Sequence, residues 1–159
     1  KKTPNMFARL AVFAAVIACV AAQATLTNCD EGKTAGSFKT FSINPNPPSK
    51  GKPLTFVGNG TVSQAFTDAT YSLAVKLNGI ELYAHQGDAC GDTTVSLPLG
   101  VGKLSLHGLA CPTTANGPMD IGIDVSLPTA IPSGMYNIEL SAASGSTEVY
   151  CIAAGFKLQ

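Results

Sequence analysis

From Met119 the chain alternates. Met119, Ile121, Ile123, Val125 and Leu127 are apolar, and Asp120, Gly122, Asp124 and Ser126 between them are polar or small. A period of two places one face of an extended strand in the core and the other in water. After the turn-rich segment Pro128–Gly134, Tyr136, Ile138, Leu140 and Ala142 alternate in the same way with Asn137, Glu139 and Ser141. A third run, Thr147 to Cys151, begins after Gly145 and ends on a cysteine. Earlier in the chain, Tyr71, Leu73, Val75 and Leu77 share one face of a strand. Asn78-Gly79 then supplies the residue types that a type I′ hairpin turn needs at positive φ, and Ile80–His85 is the expected partner strand. Leu54 and Phe56 mark another strand within Pro53–Val62, and Phe38, Phe41 and Ile43 a shorter one. The latter stops at Asn44-Pro-Asn-Pro-Pro48, where prolines remove the donors that a ladder requires.

No apolar stripe of helical period follows residue 25, so the pattern predicts an all-β sandwich or barrel of about seven short strands. Thr25–Gly36 reads as polar and turn-like, anchored by Cys29. Between Cys90 and Cys111, Val95, Leu97, Leu99, Val101, Leu104, Leu106 and Leu109 make a segment too apolar for an ordinary surface connection. It is expected to be one or two further core strands, or else an apolar flap at the mouth of a cavity.

The first twenty-four residues fall outside this pattern. Arg9 precedes the uncharged run Leu10–Ala22, which closes on Ala22-Gln-Ala24. A charged start, a short apolar centre and small residues at the end predict a secretory signal peptide over 1–24. Met6 is then the expected start, with Lys1–Asn5 an upstream extension. The run is shorter than the roughly 20 residues a membrane span takes. Residues 25–159 are expected to form one domain, long enough to bury about two thirds of its unfolded surface.

That segment carries seven lysines, no arginine and ten carboxylates. A mildly acidic chain without arginine is a poor nucleic-acid binder, because phosphate contacts supply most of that affinity. By charge alone it is also a poor binder of anionic membranes. Four cysteines remain in it, Cys29, Cys90, Cys111 and Cys151, which permit three pairings. Spacing favours Cys29–Cys151 and Cys90–Cys111, worth roughly 5 and 3 kcal/mol on the chain-entropy model. A zinc site would need the close Cys or His pairs that are missing here.

Catalytic patterns are sparse. No serine lies in a Gly-x-Ser-x-Gly setting, and the cysteines are expected to be consumed by disulfides. Asp120 and Asp124 share one strand face and could in principle act on a glycoside, but a solvated face accounts for them fully. His85 and His107 could bind copper or zinc, yet ordinary surface positions explain them equally well. The expectation is no enzyme, no metal and no cofactor. Asn59-Gly-Thr61 is an N-glycosylation acceptor that places Asn59 at the surface if used.

Several motifs taken in order resemble a known family. These are Cys90-x(20)-Cys111-Pro112, Gly117-Pro-Met-Asp-Ile121, Leu127-Pro128, Ile131-Pro-Ser-Gly-Met-Tyr136 and Tyr150-Cys151-Ile152. Together they are similar to the MD-2-related lipid-recognition (ML) domain, nearest to Niemann–Pick type C2 sterol carriers and phosphatidylglycerol/phosphatidylinositol transfer proteins. The likeness spans Cys29 to Cys151. It implies an immunoglobulin-like β-sandwich of two antiparallel sheets that part at one end around a lipid cavity. It also implies the disulfides Cys29–Cys151 and Cys90–Cys111. Many of the sterol carriers have a third disulfide in an early loop, where this chain has no cysteine, and their counterpart of the Cys90–Cys111 loop is shorter. The choice between phospholipid and sterol is therefore open.

On that resemblance the inward set expected to line the cavity is Phe56, Tyr71, Leu73, Val75, Leu77, Ile121, Ile123, Val125, Tyr136, Ile138 and Leu140. Leu97, Leu99 and Val101 are the expected rim, touching a membrane transiently during exchange. The implied protein is a monomeric lipid carrier, secreted or in the endolysosomal or vacuolar lumen, delivering its ligand to membranes or to a membrane receptor. An immunoglobulin-like adhesion module with a fully packed interior would show the same alternation and the same cysteines. The presence of a void between the sheets separates the two.

Overall fold

The computed structural model describes residues 23–29, 32–98 and 102–159. The expected signal segment up to residue 22 lies outside them, as do Leu99 and Val101. Ten strands follow one another: β1 (Thr25–Asn28), β2 (Gly36–Asn44), β3 (Pro53–Val62), β4 (Thr70–Leu77), β5 (Ile80–Asp88), β6 (Asp92–Ser96), β7 (Lys103–His107), β8 (Pro118–Ser126), β9 (Gly134–Ser144) and β10 (Thr147–Leu158). They form two five-stranded antiparallel sheets, ordered β1-β10-β9-β4-β5 and β2-β3-β8-β7-β6. This is the expected all-β sandwich, with ten strands rather than about seven.

The three additional strands have identifiable origins. β1 lies in the segment read as turn-like: its four residues carry no alternation of their own and pair along the edge of β10, Thr25 opposite Gly155 and Asn28 opposite Ile152. β6 and β7 form a hairpin inside the apolar Cys90–Cys111 segment, with Val95, Leu104 and Leu106 turned inward. The strand expected to stop at Cys151 runs on to Leu158, burying Ile152, Ala154, Phe156 and Leu158 on one face.

Local chemistry fixes the details. Asn78 and Gly79 both have positive φ, 51° and 84°, as the two-residue turn between β4 and β5 requires. In β2 the pairing with β3 shifts between Phe38 and Thr40. That extra residue brings Phe38 and Phe41, which strict alternation would send to opposite faces, to ring centroids 4.3 Å apart against the core. Cys29 is bonded to Cys151 and Cys90 to Cys111, the pairings favoured by spacing.

The core is densest at the end where β4 begins and β3 finishes. Val62, Tyr71, Met119, Val149 and Tyr150 there are completely buried. At the opposite end β4 turns into β5, β6 into β7, and β8 leaves for β9. Interior packing there is incomplete.

Candidate functional site

At that second end an apolar cavity of about 190 Å³ lies between the sheets. One wall is made by Val75 and Leu77 of β4, Leu82 and Tyr83 of β5, Tyr136 and Ile138 of β9, and Phe156 of β10. The other is made by Leu54 of β3, Leu104 of β7 and Val125 of β8. The connections close the space: Leu97 and Pro98 after β6, and Leu127, Ile131 and Pro132 between β8 and β9. Strand alternation supplies the walls, and the turns supply the lip.

Among the described residues, the lining carries no charged side chain. The Tyr136 hydroxyl in it donates to the Pro132 carbonyl at 2.9 Å, and the Tyr136 ring stacks on Phe156 at 5.7 Å. Burial pushes the Tyr136 phenol above its ordinary range, so it remains a neutral donor. The lip is held by backbone geometry. Leu97 donates to the Gly102 carbonyl at 3.0 Å. Gly102 sits at φ 121°, where a side chain would also run into the Ser126 carbonyl.

Of the expected lining residues, Val75, Leu77, Val125, Tyr136 and Ile138 border this cavity, as does Leu97 of the expected rim. Phe56, Tyr71, Leu73, Ile121, Ile123 and Leu140 also point inward but lie deeper, within the packed core. Phe56, Ile121 and Ile123 border a gap of about 10 Å³ on the β2 side. Alternation identifies the inward face correctly but not the depth along the strand. Leu54, Leu104 and Leu127 were legible as inward positions, and Phe156 would have been found by following alternation beyond Cys151. Leu82 gave no signal, because a register shift between Val75 and Lys76 turns it out of sequence.

The other candidate groups do not converge on this site. His85 Nδ1 lies 2.9 Å from the Tyr71 hydroxyl on the first sheet, and His107 sits on the second. His107 bridges two carboxylates, with Nδ1 3.0 Å from Asp92 and Nε2 3.1 Å from Asp124. Those hydrogen bonds, Asp92 first and then Asp124, raise its pKa above the ordinary histidine value. Asp124 also accepts from the Thr55 hydroxyl at 2.6 Å, and Asp120 from the Asn59 amide at 2.7 Å. Both aspartates thus belong to a polar ladder on an open sheet face, not to a cleft. Asn59 is exposed on the same face. Among the described residues, Cys29, Glu139 and Cys151 have metal-ligand spacing, but the two sulfurs are bonded to each other.

Comparison with known proteins agrees with this architecture. A phosphatidylglycerol/phosphatidylinositol transfer protein of Debaryomyces hansenii is 31% identical over 107 residues, 67% of this chain and 48% of that protein. The chain thus spans about half the length of that relative. Among solved structures, a Niemann-Pick type C2 protein from Japanese carpenter ant superposes with a TM-score of 0.60 at 12% identity, covering 85% of this chain and 99% of that one. Chicken MD-1 complexed with lipid IVa gives 0.56 at 16% identity, covering 84% of this chain and 88% of the other. At these identities the two structures establish the shared fold. The family model described as the ML domain matches residues 23–158, and the chain belongs to that family.

Proposed function

We propose that this protein is a non-enzymatic lipid carrier that holds a phospholipid or sterol between its sheets and exchanges it with membranes. The observation that carries this reading is an apolar, uncharged cavity walled by both sheets at one end of the sandwich. A packed adhesion module would repeat throughout the tight interior found around Tyr71 and Tyr150; the void is what such a module lacks. The name of the D. hansenii relative and the lipid in the MD-1 complex support the same ligand class. Two disulfides favour a secreted or endolysosomal setting for residues 25–159. Asn59 is the proposed glycan attachment point there, and an intact mass unchanged by glycosidase would remove it.

Size sets a condition on the mechanism. A cavity of about 150 Å³ holds a benzene ring, and typical small-molecule sites measure about 300–1,000 Å³. At about 190 Å³ the closed form takes only the end of an acyl chain or part of a ring system. Full entry therefore requires the lip at Leu97-Pro98 and Ile131-Pro132 to move outward. Burial of a methylene gains roughly 0.8 kcal/mol, so a palmitoyl chain represents on the order of 12 kcal/mol gross, enough to offset such an opening. With no charged anchor in the lining, selectivity among chains is weak.

Filling the void tests the reading. Val75→Phe and Ile138→Phe add bulk where space already exists, so the melting temperature should stay within a few degrees of the parent. Uptake of a fluorescent phospholipid or sterol should fall at least tenfold. Unchanged uptake in folded variants would remove the cavity from the account.

A further inference from the structure

The net charge of the chain conceals a separation of charge along the sandwich. Lys50 and Lys52 lie in the β2–β3 connection beside the lip, where the Lys50 ammonium donates to Ser133 Oγ at 2.7 Å. Lys76 is the penultimate residue of β4, Lys103 opens β7, and Lys157 stands opposite Met135 near the end of β10. These are five of the seven lysines after residue 24. Against them, among the described residues, this end holds Glu81, opposite Lys76. Among the described residues, the other end holds Asp68, Asp88, Asp120 and Glu148, with Lys33 and Lys39. Asp92 and Glu139 stand at mid-height on outer faces, and Asp124 lies on the outer face two residues from the cavity end of β8.

At the same end lie the most exposed large apolar side chains of the described residues, Ile80 at 69%, Leu82 at 48% and Met135 at 46%. Two hydrogen bonds join Met135 to the β4–β5 turn: Asn78 donates to the Met135 carbonyl at 2.8 Å, and Met135 donates to Asn78 Oδ1 at 3.0 Å. Aliphatic side chains and ammonium groups thus share the end of the sandwich at which the cavity lies.

Resting on the carrier reading, we infer that this end docks on an anionic lipid bilayer, with the cavity mouth against the surface and the acidic end turned to water. Protein-binding hot spots favour Trp, Tyr and Arg, and lysine is depleted from protein interfaces. After residue 24 this chain has neither Trp nor Arg, and the patch consists of lysine with Ile, Leu and Met. That composition suits a charged headgroup layer over hydrocarbon. The field of the acidic end is screened within roughly 8 Å, so it does not oppose docking at physiological salt.

The test is flotation of the protein with vesicles of phosphatidylcholine alone or with one third phosphatidylglycerol. Binding should be at least tenfold tighter to the anionic vesicles and weaken as salt rises. Each lysine is worth roughly fivefold, so Lys52→Gln with Lys103→Gln should cost about 25-fold. Lys39→Gln, away from the mouth, should cost nothing. Equal binding to both vesicles, or the same loss in Lys39→Gln, would overturn the inference. So would retention on an immobilised acidic peptide without vesicle binding, which would make the patch a protein-docking surface. Uptake of a fluorescent phospholipid from detergent micelles, measured in parallel, keeps the two ideas apart. Uptake without preference for anionic vesicles removes the docking and leaves the carrier; anionic binding without uptake does the reverse.

Discussion

Two side chains illustrate how burial and hydrogen bonding act separately. The Tyr150 hydroxyl is buried with no hydrogen-bond partner among the described residues, and burial drives its pKa well up. An unpaired buried hydroxyl costs about 1–3 kcal/mol, so Tyr150→Phe should leave stability unchanged or raise it by about 1 kcal/mol. Tyr136→Phe gives up a satisfied bond to Pro132 and should lose about 1 kcal/mol. Thermal melts of both variants check the contrast, and a destabilised Tyr150→Phe would show that its hydroxyl is paired. His107 offers a pH-dependent case. Its folded pKa is raised by Asp92 and Asp124, so its contribution is complete below the ordinary histidine pKa and is lost as pH climbs through the raised value. Melting temperatures between about pH 5 and pH 8 should favour the acid side, and His107→Asn should remove that part of the slope.

Among the elements, the β6–β7 hairpin is the most dependent on its fastening. It sits at the edge of its sheet, joined to β8 over four register pairs, and the Cys90–Cys111 disulfide closes its base. Replacing both cysteines by alanine should cost about 3 kcal/mol, with amides of β6 and β7 losing exchange protection before those of β9 and β10. Uniform loss across both sheets would contradict this. The hairpin also marks how far the sequence could be read. Strands β4, β8 and β9 were legible because each has one wet and one dry face, and the β4–β5 turn because Asn-Gly suits its geometry. β1 was not, since four residues pairing along an edge need no alternation. In β2 and β5, register shifts at Phe38/Thr40 and Val75/Lys76 break the period of two. For the same reason the inward face of the site was legible while its depth was not. Tyr71 and Val75 share a face of β4, yet only Val75 reaches the cavity.

Across the whole molecule, one end is solid and acidic and the other hollow and basic. The cavity, its lip and five of the seven lysines after residue 24 coincide at one end of the sandwich. A fold of two sheets is well suited to this, since their twist lets the faces pack closely at one end while the other stays accessible. Charge averaged over the chain gives no hint of it, because the topology gathers lysines from four separate segments.

The central claim is that the space between the sheets holds lipid. Native mass spectrometry of the protein secreted from a eukaryotic host, with an organic extract of the same sample, measures this directly. The account predicts one phospholipid or sterol per chain, released on unfolding. A lipid-free protein that also refuses fluorescent phospholipid and sterol probes would contradict it.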